Sequence, residues 1–160
     1  MEKKIGMKAI LFLLPFSILI PLQGCFPHSH GQSSAALPET DAVQLRLRIT
    51  GFTNTKGRIR LAIFNSKENF DAGSPGHLGL CLPIEGKTLN HSLPLAPGTY
   101  AIKLFHDENE NGRLDTHGFN IPAEGYGFSN NARAQFAPPT WEDTCFTLAG
   151  PEHTLHIHLQ

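Results

Sequence analysis

Between Val43 and Leu159 apolar residues recur at every second position in short runs, and no long stretch repeats at three and four. A period of two puts successive side chains on opposite faces of an extended chain, so each run is a strand with one buried face. The strictest run is 43–50, where Val43, Leu45, Leu47 and Ile49 alternate with Gln44, Arg46, Arg48 and Thr50. Residues 58–65 resume the pattern with Ile59, Leu61 and Ile63 against Arg58 and Arg60, and the turn residues between the two runs predict a hairpin. Further runs at 77–84, 87–93, 99–105, 144–149 and 153–159 bring the total to about seven strands. Short strands separated by turn signals predict an all-β, antiparallel β-sandwich. Ser66 is placed to cap one helical turn at 66–70. Pro97 and Gly98 turn the chain into 99–105, where Tyr100 is either the tyrosine of a tyrosine corner or an ordinary half-exposed strand residue.

Residues 1–24 read differently. Lys3, Lys4 and Lys8 precede an apolar run at 9–22, too short and wrongly flanked for a membrane-spanning helix, and Leu22-Gln-Gly-Cys25 closes it. This ending resembles a bacterial lipoprotein cleavage box, and the resemblance makes Cys25 the lipidated first residue of the mature chain. A plain secretory peptide cut near Gly24 is the alternative. Phe26 is not an acidic retention residue, so in a Gram-negative host the resemblance favours an outer-membrane anchor facing the periplasm. Residues 25–40, rich in Ser, Pro, Gly, Ala and His, have the composition of a flexible tether, which leaves 41–160 as the domain. Without the leader, which carries three lysines and Glu2, 10 Lys and Arg face 13 Asp and Glu, a balance that argues against nucleic acid as a partner. Cys81 and Cys145 remain in the exported part, and a pair in an oxidising compartment predicts a disulfide, with two separately buried thiols or a metal site shared with histidine as the alternatives. Such a bridge would stabilise by about 4 kcal/mol in the chain-entropy model.

The densest chemistry lies at His106-Asp-Glu-Asn-Glu-Asn-Gly-Arg-Leu-Asp115. Asp107, Asn109 and Asn111 occupy the first, third and fifth places of a calcium loop and Gly112 its sharp turn, with the Arg113 carbonyl at the seventh and Asp115 at the ninth. The twelfth place, where a bidentate glutamate belongs, is Gly118, so this is not an intact EF-hand, and a further donor must come from Glu124, Glu142 or Asp143. A solvated turn is the competing reading, since Asp, Asn and Gly all favour turns. Four acids, Asp107, Glu108, Glu110 and Asp115, against the one nearby cation Arg113 tip the expectation toward bound calcium.

Residues 116–140 follow no sustained period. They predict a compact excursion fastened by Tyr126, Phe128, Phe136 and Trp141, with Tyr126, Phe128, Asn130 and Trp141 as ligand contacts for a glycan or an envelope protein. His156 and His158 share a strand face near His153, which permits a zinc or copper site, although a polar strand face explains them as well. His28 and His30 in the tether are weaker candidates for such a site. No serine elbow and no obvious acid–base couple is present, and His106 and Asp107 point to opposite faces. Hydrolysis through Asp107, Glu124 or Asp143 is the alternative to a binding module.

At Asp107-Glu-Asn-Glu-Asn-Gly112, Leu114-Asp115, Ile121-Pro122, Glu124-Gly-Tyr-Gly-Phe-Ser-Asn-Asn131, Pro138-Pro139 and Glu142-Asp143 the chain resembles a family of bacterial exported proteins, domain of unknown function 2141. The resemblance spans 43–159 and implies an immunoglobulin-like or transthyretin-like sandwich, an envelope location and a shared 107–143 surface. It implies no activity.

Overall fold

The computed structural model describes residues 42–73, 76–134 and 137–160. The leader, Cys25, the tether and Phe136 lie outside the described residues. In chain order the elements are β1 (Val43–Thr50), β2 (Arg58–Phe64), α1 (Lys67–Ala72), β3 (Leu78–Pro83), β4 (Thr88–Leu95), β5 (Gly98–Asp107), β6 (Thr116–His117), β7 (Ile121–Pro122), β8 (Tyr126–Phe128), α2 (Trp141–Thr144), β9 (Phe146–Leu148) and β10 (Glu152–His158).

Two sheets face each other. The first has the order β10-β1-β4, and the second runs β3-β2-β5-β8 with β9 on the same edge of β5 as β8. Leu45, Leu47 and Ile49 of β1 meet Ile59, Leu61 and Ile63 of β2 and Ile102 and Leu104 of β5 in one core. This is the all-β sandwich the strand pattern predicts. The β1–β2 hairpin, however, is not formed. β1 pairs with β4 and β10, β2 pairs with β3 and β5, and 51–57 carry the chain from one sheet to the other. A turn-rich segment between two strands is compatible with either connection, and two-sided burial separates them. Every β2 residue after Arg58 is buried, because α1 and the acidic loop cover the outer face of the second sheet. β1 and β10 run parallel, so the first sheet is not wholly antiparallel.

Ser66 caps α1 by accepting the Asn69 N–H, as its sequence position predicts. The Tyr100 hydroxyl donates to the Ala96 carbonyl at 3.0 Å, which resolves that residue as a tyrosine corner. The cysteine expectation needs correction, because Cys145 is a free thiol and the Cys81–Cys145 bridge is not made. Cys81 lies opposite Arg60 on the edge strand β3, whereas Cys145 precedes β9, which pairs with the far end of β5. Three strand spacings across and about four residues along separate the two by roughly 20 Å. A disulfide tolerates a Cα separation of about 4.4–6.8 Å.

The registers also assign the loops to two poles. Arg58 lies opposite both Asp107 and Pro83, and Thr50 lies opposite Thr88 and His158, so 51–57, 84–87, 108–125 and the C-terminus share one pole. Val43, α1, 96–97 and α2 occupy the other.

Candidate functional site

Asp107 ends β5 on the outer face of the second sheet and is fully buried, while His106 beside it points the other way. The His106 imidazole donates Nε2–H to the Lys56 carbonyl at 2.6 Å, so the two side chains are not an acid–base couple. Asp107 Oδ1 accepts from the Asn111 N–H at 3.0 Å and Oδ2 from the Gly112 N–H at 2.9 Å, folding the loop back over the strand end. Asn109 Oδ1 accepts from Asn111 N–H and Asn111 Oδ1 from Arg113 N–H, two successive side-chain turns. Gly112, at φ +81°, lies over the Arg60 guanidinium, where an added Cβ would meet Cζ at 3.6 Å. Gly57 is required more stringently, since a Cβ there would fall 1.9 Å from the Asp107 carbonyl oxygen.

The acids are not left crowded against Arg113 alone. Arg60, only 6% exposed, donates Nε–H to Asp107 Oδ2, and Arg58 pairs with Glu110 at 3.3 Å. Glu108 accepts from Asn54 at 2.8 Å and from Thr53 at 3.1 Å, and the Asn54 hydrogen bond is the main reason its carboxyl titrates below the usual range. The loop thus carries its own counter-charges, drawn from β2 and the 51–57 connection. This removes the charge-crowding argument for calcium while leaving the donor pattern in place.

On the solvent side the Asn109 amide reaches Asp115 at 2.6 Å and the Asn111 amide reaches it at 3.0 and 3.2 Å. Three of the predicted donors therefore converge. The Asn109 and Asn111 oxygens already accept backbone N–H groups, but each keeps a second lone pair for a cation that displaces the amide N–H groups from Asp115. Glu124 takes another place. Its Oε1 accepts the Glu108 N–H and its Oε2 the Asp115 N–H, each at 2.9 Å, so it clamps the neck of the loop. Burial raises its carboxyl above the usual range, opposed by those two hydrogen bonds. Among the described residues no three His, Cys, Asp or Glu side chains form a metal cluster, so any cation here leans on the asparagine amides and the backbone.

The family model described as "Uncharacterized protein conserved in bacteria (DUF2141)" matches residues 47–156. The chain belongs to this family. No curated protein and no solved structure matches it.

The run by which this chain resembles the family, Glu124 to Asn131, does its visible work inside the fold. Gly127 packs against β10, where a Cβ would meet Ile157 Cγ2 at 2.9 Å. Ser129 Oγ, fully buried, accepts the Ile102 N–H at 2.9 Å and donates to the Thr144 carbonyl at 2.5 Å. Asn130 and Asn131 adopt left-handed φ values of 59° and 52°. The Asn130 amide donates to the Asp143 and Cys145 carbonyls, and Asn131 grips the free edge of β10 through His156 O and His158 N. Each side chain stands in for a missing strand partner. Sequence reasoning missed this bracket, although Asn-Asn after a short strand is a signal for left-handed backbone.

The four expected ligand contacts are spread along the second sheet. Phe128 is 2% exposed and Tyr126 half-buried, their rings edge to face at 6.0 Å. Trp141 is half-buried at the opposite pole from the acidic loop and packs on Phe70 at 5.8 Å. The 107–143 stretch is therefore two separate regions joined by β8. Asp143 accepts from Thr140 in the capping box of α2, which keeps its carboxyl below the usual range through those hydrogen bonds. It is far from Asp107. His156 and His158 lie on the exposed face of β10, whereas His153 turns inward and stacks on Phe146 at 5.4 Å.

Proposed function

We infer that this chain is a lipid-anchored β-sandwich of the cell envelope, held through Cys25 at the outer membrane, that binds or supports a partner rather than transforming a substrate. Its 107–115 loop takes a calcium ion through Asp107, Asn109, Asn111, the Arg113 carbonyl and Asp115, with Glu124 holding the neck. The supporting observation is the convergence of Asn109, Asn111 and Asp115 within 2.6–3.2 Å on the open side of a loop already folded by Asp107. Calcium prefers six to eight oxygens in an adaptable shell, which amides, carbonyls and water complete. A glycan or an envelope protein is the partner class.

The test is a thermal melt of the chain in chelator and then in calcium, magnesium or zinc, with Asp115→Ala alongside. Binding to the folded state adds about 2.7 kcal/mol at 100 times Kd. A calcium-selective rise that disappears in Asp115→Ala supports the site. No shift with any metal in a preparation verified metal-free reduces the loop to a polar turn.

A further inference from the structure

The two outer faces of the sandwich differ. That of the second sheet is covered by α1, α2 and the acidic loop, whereas on the first sheet Arg46, Arg48, Asn90, Ser92, Thr154 and His156 are all exposed. The register arranges them in rows, with Asn90 and His156 flanking Arg48 on its two neighbouring strands and Ser92 and Thr154 flanking Arg46. Rows lie about 6.7 Å apart along the strands and columns about 4.8 Å apart across them. Guanidinium, imidazole, amide and hydroxyl groups all donate to phosphate oxygen. The one carboxylate among the neighbours is Glu152, paired with Arg46 at 2.7 Å, and Arg48 has no ion pair among the described residues. The acids of 107–115 and of the two helices lie on the other side of the molecule. The charge of a net-acidic chain is thus sorted, leaving this face two arginines against one carboxylate.

We propose that this face docks on the phosphate-bearing headgroups of an anionic bilayer. The choice of a bilayer rests on the anchor reading above. Segment 25–41 leads directly into β1, the central strand of this sheet. A segment of about 17 residues can reach at most about 55–60 Å, more than the roughly 26 Å length of β1, so an anchor at Cys25 leaves this sheet within reach of the bilayer surface.

The test uses the chain from residue 25 with Cys25→Ser, which has no acyl group, and vesicles of 30% phosphatidylglycerol in phosphatidylcholine against phosphatidylcholine alone. Near an anionic surface each arginine contributes about fivefold in partitioning, so R46Q/R48Q should lose about 30-fold on anionic vesicles. R46K/R48K should retain binding, and Lys67→Gln, on the opposite side, should change it little. Unchanged melts establish that the variants fold. Equal partitioning of the starting chain and R46Q/R48Q, or no preference for anionic vesicles, overturns the proposal. Acyl labelling at Cys25 of the intact chain tests the anchor separately, and its failure would leave the vesicle result standing.

Discussion

Replacing Asp107 with alanine tests what holds the acidic loop. The carboxylate is fully buried and accepts two loop N–H groups at 2.9 and 3.0 Å as well as the Arg60 Nε–H. Arg60 is 6% exposed and, among the described residues, its Nη1 already lacks a hydrogen-bond partner and Asp107 is its one ion-pair partner, so removing Asp107 strands a buried guanidinium. Breaking one side of a buried pair costs about 3–5 kcal/mol, a large share of the 5–15 kcal/mol typical of a domain. Urea unfolding at pH 7 in chelator should therefore show Asp107→Ala destabilised by about 4 kcal/mol. Arg60→Met in the same chain should recover part of that loss, because it removes the stranded charge. Repeating the cycle in calcium separates two contributions. If the loop binds the ion, the gap between wild type and Asp107→Ala widens with calcium concentration. If Arg60 is the only cation Asp107 serves, the gap stays constant. A cost under about 1 kcal/mol in chelator, or strict additivity of the two substitutions, would refute the reasoning.

Lys103 carries a pH prediction. Burial lowers its amine from 10.5 to about 8 while it donates to the Phe70 carbonyl and sits 3.7 Å from that ring's centroid. The folded state therefore disfavours the proton. The penalty is complete below pH 8, at most about 3 kcal/mol, and stability rises with pH between 8 and 10.5. Melts of Lys103→Met should lose that slope and gain about 1–2 kcal/mol at pH 7. Ser129→Ala strands the Ile102 N–H and the Thr144 carbonyl, and denaturant melts should show a loss of about 2–3 kcal/mol. Asn131→Ala frees the β10 edge at a smaller cost of about 1 kcal/mol, and hydrogen exchange should show the His158 amide losing protection.

The strands were legible where burial is one-sided. In β1 the alternation of Val43, Leu45, Leu47 and Ile49 with polar residues reports the core face directly, and in β10 Leu155 and Ile157 do the same. β2 hid its partner, because Arg58 and Arg60 look like a solvent face while Arg60 is buried beneath the 107–112 loop. An arginine on a strand gives no local sign of whether water or a carboxylate distant in sequence receives it. The same nonlocality produced the charge-crowding argument, since the counter-charges of Asp107 and Glu110 come from residues roughly fifty positions earlier. The tyrosine corner could at least be named from sequence as one of two readings of Tyr100, because its partner lies only four residues away.

The division between local and distant partners also alters how Glu124 to Asn131 should be read. Glycines, an aromatic pair and two asparagines in a segment without a strand period suggest a binding surface. In the fold Glu124 caps two loop amides, Gly127 admits Ile157, and Ser129, Asn130 and Asn131 replace absent strand partners. A side chain whose polar atoms are already engaged with backbone is poorly placed to recognise a ligand, because binding would first have to break those bonds. Under the two readings proposed above, recognition falls instead to groups with capacity to spare: the Asp115 carboxylate with the second lone pairs of the Asn109 and Asn111 oxygens at the loop pole, and the exposed rows around Arg46 and Arg48 on the opposite sheet. Variants in the bracket should therefore lower stability, and with it any binding, in proportion. Variants at Asp115 or at Arg46 and Arg48 should change binding while leaving the melt in chelator nearly unchanged.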